Sequence, residues 1–167
     1  MSGPTALTVP RCRDYYRKLV AGVAVVTACG PTGWAGTTVS SLTSVSAEPP
    51  VLLCCFATGS GTLAAIRHTH RFAVHLLSSE QSRLADVFSR SAGRTERFAG
   101  LEQETAVIGG APVISGALAV AWCDLRSFDE VGDHVVVYGS ISAVEVGTGS
   151  PLLWHERTYR AMEGTRP

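Results

Sequence analysis

Residues 109–146 read GGAPVISGALAVAWCDLRSFDEVGDHVVVYGSISAVEV. This stretch decides the fold, because it holds strands and no helical period. After Pro112 come one or two apolar strands, then a turn at EVGDH, then the long strand HVVVYGSISAVEV with a bulge expected at Gly139. Upstream, the order is helix, three strands, helix, strand, helix. A short amphipathic helix is predicted over Arg11–Val20, with Tyr16, Leu19 and Val20 at i, i+3 and i+4. GVAVVTACG, ending at the turn GPTG, reads as a strand, and WAGTTVSSL as its hairpin partner. VLLCCFA is a buried strand. Ser60 caps a helix whose Leu63 and Ile66 face the core. RFAVHLL is the next strand, and Ser78 with Gln81 forms a capping box for a helix carrying Leu84, Val87 and Phe88. RSAGRTERFAGLEQE reads as a polar connection, and SPLLWHERTYRAM as a short C-terminal segment. Parallel α/β folds alternate regularly, and this chain does not. The fold class expected is mostly β with helices, an antiparallel, Greek-key-like barrel.

The chain has 167 residues, and one domain over 1–167 is the expectation. Basic and acidic residues balance at 14 each, with no basic stretch, which argues against nucleic acid as partner. The longest apolar run falls far short of the ~20 residues that cross a membrane. The N-terminus lacks a basic region followed by an apolar core, so a cytoplasmic location is expected. Five cysteines without C-x-x-C spacing form neither a disulfide framework nor a zinc site, and Cys54, Cys55 and Cys123 read as small core hydrophobes.

Residues 36–50, GTTVSSLTSVSAEPP, crowd seven hydroxyls into fifteen residues. An exposed strand is one reading, since Thr favours strands. Serine does not, and the other reading is a strand leaving the barrel as a loop rich in free donors, suited to a flat polar heterocycle or a phosphate. ATGSGT at 57–62 is either a plain turn with an N-cap or a phosphate site at a helix N-terminus; it lacks the Walker A ending and G-x-G-x-x-G. His134 after Asp133 is either half of a catalytic pair or the first residue of a strand after a hairpin turn. The remaining histidines show no metal-ligand spacing with Cys or acidic residues, and there is no G-x-S-x-G elbow.

Seven pieces in order, LVAGVAVVTA, GTTVSSLTSVSAEPPVLLCC, RFAVHLLSSEQSRLADVFS, RFAG, GAPVISGALAVAWC, GDHVVVYGSI and PLLWHERTYRAM, resemble the short NAD(P)H:flavin oxidoreductases that serve two-component flavin monooxygenases. The similarity runs from about Tyr15 to Met162. It implies a split β-barrel binding FMN or FAD, a homodimer with sites near the subunit interface, and a reduced-flavin-dependent monooxygenase served by diffusion. It implies that Thr37, Thr38, Val39, Ser40, Ser41 and Ser46 lie along the isoalloxazine and ribityl chain. Cys54, Cys55, Phe56, Ser60 and Thr62 match the segment around the ribityl phosphate. Phe72, His75 and Gln81 match flavin-contacting positions; His75 stands where the family often has Asn, and imidazole is bulkier and titrates near pH 6.5. The resemblance implies that Asp133 shapes the turn where the nicotinamide docks and that His134 orients the nicotinamide or its diphosphate, the role through which it would serve catalysis. Arg157, Thr158 and Tyr159 match a C-terminal piece that closes over the cofactors in that family. NADH is the expected donor, because no Arg/Lys cluster awaits a 2′-phosphate; Arg157 and Arg160 leave NADPH open. The alternatives are a flavoprotein that keeps its flavin and reduces another substrate, and a flavin-binding protein without turnover.

Overall fold

The computed structural model describes residues 8–90, 97–98, 100–101 and 105–162. Most of the polar connection expected over 90–104 lies outside the described residues.

The first helix, α1, spans Val9–Arg17, earlier than expected, because Pro10 sets the first turn after Thr8. It buries no residue and is held to the body by the Lys18–Glu156 ion pair and by Glu156 N–H donating to the Arg17 carbonyl at 3.1 Å. The strand expected over GVAVVTACG divides in two. β1, Ala21–Gly22, and β2, Ala24–Gly30, are separated by Val23. The Val23 N–H donates to Leu152 O, and its carbonyl accepts from Leu77 N–H. One residue therefore moves the chain from a small sheet into the main one.

β2 turns through Gly33, at φ +109°, into β3, Gly33–Val39. The hydroxyl-rich run does not leave as a loop. Thr43–Ala47 forms an edge strand, β4, paired with β5, Pro50–Ala57, with a register shift between Ser44 and Ser46. α2, Gly61–Thr69, begins where the Ser60 hydroxyl accepts from Leu63 N–H at 3.4 Å, as expected, and ends on left-handed His70. β6, Arg71–Leu76, follows. Gln81 accepts from Ser78 N–H at 3.0 Å, one half of a capping box, yet α3 starts later, at Ser82, and runs to Ser89 with Gln81 as N-cap. β7, Thr105–Ile108, and β8, Ala111–Ile114, form an unexpected hairpin across two positive-φ glycines, Gly109 and Gly110.

β9, Ala119–Val131, and β10, His134–Val146, are the long hairpin of the opening stretch. The register slips between Tyr138 and Gly139, where the bulge was expected, and again between Ile141 and Ala143. Glycine is needed at 139: a Cβ there would lie 2.5 Å from the Phe72 ring. β11, Leu152–His155, and β12, Thr158–Ala161, form a C-terminal hairpin turning on left-handed Glu156 and Arg157.

The main sheet runs β3-β2-β6-β9-β10-β5-β4, antiparallel throughout. It curls until β3 and β5 touch. There the Ser41 hydroxyl bonds both the N–H and the carbonyl of Cys55, each at 3.1 Å. The result is a split barrel. Its interior holds Val26, Phe72, Val74, Cys54, Phe56, Val137 and Cys123. A second cluster outside, of Val25, Leu77, Phe88, Phe98 and Leu152, seats α3 and the C-terminal hairpin. β2 is buried on both faces because it separates the two clusters. Cys54 and Cys123 are core residues as expected, and burial raises both thiols, Cys123 to about 12. Cys55 is only half-buried and faces out of the barrel.

Candidate active site

The end of β3, the end of β5, the start of α2 and the start of β10 converge on one groove. It is lined by Thr37, Thr38, Val39, Ser40, Ser41, Cys55, Phe56, Ala57, Ser60 and His134, and holds about 370 Å³, within the range of small-molecule sites. Strand register explains the meeting: β10 pairs with β5 so that His134 stands opposite Ala57, and Val135 opposite Phe56. The β5 strand then delivers the chain through Thr58 and Gly59 to the Ser60 cap.

The hydroxyls divide by duty. Thr38 donates to the Ala85 carbonyl at 2.7 Å and ties β3 to α3. Ser41 is spent on the Cys55 peptide. Thr37 and Ser40 have no side-chain hydrogen bond among the described residues and are free for a ligand. Thr62, in the first turn of α2, is 2 % exposed, and its hydroxyl has no partner among the described residues. The unspent O–H donor of such a hydroxyl, beside a helix N-terminus, suits an anion.

His134 Nδ1 lies 2.8 Å from Asp133 Oδ1. This hydrogen bond, chiefly, holds the Asp133 carboxyl below its ordinary range. The Asp133 carbonyl accepts from Thr58 N–H at 3.1 Å, which pins the β9–β10 turn against the groove. With Nδ1 committed to Asp133, Nε2 is the ring nitrogen left for a ligand, on a half-exposed side chain that lines the groove.

Several expected residues do not reach the groove. Cys54 and Phe72 point into the barrel interior. Ser46 lies on β4, away from the lining residues. Gln81 caps α3 and bonds Ser78. Arg157 sits in the β11–β12 turn. His75 is fully buried: Nδ1 is 3.0 Å from Val25 O, and Ile114 N–H donates to Nε2 at 3.1 Å. Both nitrogens are occupied, so this side chain offers no hydrogen bond to a ligand. Tyr159 lines an adjoining pocket with Asp86, Ser89 and Trp154. Ala57 opens the 57–62 stretch weighed as a phosphate site, and strand register places it opposite His134; Asp86, Ser89 and Trp154 were not anticipated, and no local signal marks them.

Among the described residues no cluster of His, Cys, Asp or Glu could hold a metal, and no helix is long and apolar enough to cross a membrane.

The flavin reductase like domain matches residues 16–163, and the chain belongs to that family of oxidoreductases. It is 40% identical over 140 residues to a flavin reductase (NADPH) of Lentzea aerocolonigenes, covering 83% of this chain and 81% of that one. It is 32% identical to the FMN reductase (NADH) RutF of Ancylobacter novellus, covering 96% and 88%. The nitrilotriacetate monooxygenase component B of Mycobacterium thermoresistibile has the same fold, with a TM-score of 0.86 at 26% identity over 95% of this chain and 89% of that one.

Proposed function

We propose that this chain is an NAD(P)H:flavin oxidoreductase that supplies diffusible reduced FMN or FAD to a partner monooxygenase. The observation that carries the reading is the groove, where the β3 hydroxyls, the α2 N-terminus and the Asp133–His134 pair meet. The residues present fit a flavin. Thr37 and Ser40 would take the polar edge of the ring, beside the end of β5 at Phe56 and Ala57. Ser60 and the first turn of α2, with Thr62 behind, would hold the ribityl phosphate. A bound flavin would supply the acceptor, at N5, for the hydride carried on nicotinamide C4.

The protein's part is to hold two rings in contact, with the reacting atoms at about 3–3.5 Å. His134, oriented by Asp133, would position the nicotinamide or its diphosphate with Nε2. The donors of the groove wall would also favour the charge of reduced flavin. No protein nucleophile is required.

The family and its relatives support this reading, and component B of a monooxygenase is among its structural neighbours. A homodimer and a cytoplasmic location complete the proposal. The exposed apolar residues Leu76, Val144 and Val146, beside a groove of Leu42, Leu52 and Ile141, favour the dimer. Light scattering at micromolar concentration tests it; a clean monomer refutes it.

The test of function is NADH or NADPH oxidation at 340 nm, with and without added flavin. Saturable stimulation by FMN or FAD is the expected result. A yellow protein indifferent to added flavin would instead make flavin a resident group with a second acceptor. No oxidation under any combination would leave a binding protein.

A further inference from the structure

The relatives divide on the electron donor: one is named for NADH, another for NADPH. A second pocket, of about 360 Å³, adjoins the groove and bears on that choice. Thr38 and Ser40 line both spaces, so a ligand lying over Ser40 passes from one into the other. The far wall is the Trp154–Tyr159 pair, with ring centroids 4.9 Å apart and planes at 58°. Among the described residues, the single charged side chain lining it is Asp86, exposed on α3. The Thr38–Ala85 hydrogen bond fixes this turn of α3 against β3 and so sets where Asp86 stands. The Tyr159 phenol neighbours that carboxylate; burial first, and then Asp86, raise the phenol's pKa, so Tyr159 stays a neutral donor.

A carboxylate without a cation beside it repels phosphate and accepts from hydroxyls. Among the described residues, no Lys, Arg or His lines the pocket. Arg83 and Arg90, three residues before Asp86 and four after it, are exposed and do not line it. An aromatic wall facing one acceptor suits a nucleoside: base against the rings, vicinal ribose hydroxyls on the carboxylate. The same device, an acidic residue on the ribose 2′-OH, separates the two nicotinamide cofactors in dinucleotide folds.

We propose that Asp86 is the specificity-determining residue for the donor. It accepts hydrogen bonds from the adenosine ribose diol of NADH and repels the 2′-phosphate of NADPH. This rests on the flavin-reductase reading above and deepens it.

The test measures kcat/KM for NADH and for NADPH at saturating FMN, in the wild type, Asp86→Asn and Asp86→Arg. Flavin affinity is read separately by quenching of FMN fluorescence. Hydrogen bonds to a charged group are strong enough that Asp86→Asn should lower kcat/KM for NADH roughly tenfold without lowering that for NADPH. Asp86→Arg should carry the preference over to NADPH. FMN affinity should stay within about twofold in both, given an effect confined to the donor. Because Asp86 is exposed, both variants should melt as the wild type does. An unchanged NADH:NADPH ratio in an active enzyme overturns the proposal and leaves the flavin-reductase reading standing. A weakened FMN affinity with an unchanged ratio also overturns it, and assigns the carboxylate to the ribityl hydroxyls of flavin. A wild type that oxidises neither donor with FMN or FAD overturns both.

Discussion

His75 makes the stability of this protein depend on pH. Its ring is sealed between β2 and β8, with Nδ1–H donating to Val25 O and Nε2 accepting from Ile114 N–H. Protonation would put a charge where no water reaches and set N–H against N–H at Ile114. Burial holds the pKa down at about 4, against the opposing pull of the Val25 carbonyl. In the unfolded chain the same group titrates near its ordinary value of about 6.5. Above that, both states are neutral and the native contacts are worth their full value. Between about 6.5 and 4 the unfolded state binds the extra proton, so stability falls as the pH falls. The slope approaches about 1.4 kcal/mol per pH unit, which amounts to about 2 kcal/mol at pH 5. Urea melts of the wild type and of His75→Asn, at intervals from neutral pH down to pH 5, isolate this contribution, because every other titrating group is common to both. The stability of the wild type relative to the variant should fall by about 2 kcal/mol between neutral pH and pH 5. Parallel profiles over that range would refute the buried-neutral account of His75.

Three further outcomes are expected. Gly139→Ala should destabilise the barrel by about 1–3 kcal/mol, read as a lowered urea midpoint, since the added methyl meets the buried Phe72 ring. Ser60→Ala should cost about 1 kcal/mol by loss of the α2 cap and should weaken flavin binding in a fluorescence titration. His134→Ala should lower kcat/KM for NADH by about tenfold, and unchanged turnover and NADH affinity would refute its positioning role.

The long β9–β10 hairpin was legible because its signals agree: a Gly-Asp turn, β-branched residues on both sides, and one glycine where a bulge was needed. α2 was legible through Ser60, and the groove's hydroxyl wall through its composition. Short elements were not. β4 carries Thr, Ser and Ala and takes its order from pairing with β5, a long-range fact that no local pattern expresses. Val23 reads as one more apolar residue in a strand, and only the presence of β11 beside it makes it a crossing point. His75 was expected at the flavin because it stands where the resembling family often has Asn. β6 is covered on both sides, and the donor and acceptor that satisfy the ring come from β2 and β8, fifty and thirty-nine residues away. Asp86 drew no notice in the sequence, because its neighbours Trp154 and Tyr159 arrive from the far end of the chain.

The double hydrogen bond from Ser41 to the Cys55 peptide has a mechanical meaning. The barrel is a rolled ribbon, and this clasp lies on its seam, beside the groove. A ligand seated there would grip both rims at once, from Thr37 on one and Phe56 on the other. Occupancy would then act as a second clasp, and an empty groove would leave the seam as the first place for the roll to open, with β2, β6 and β9 still laced together behind it.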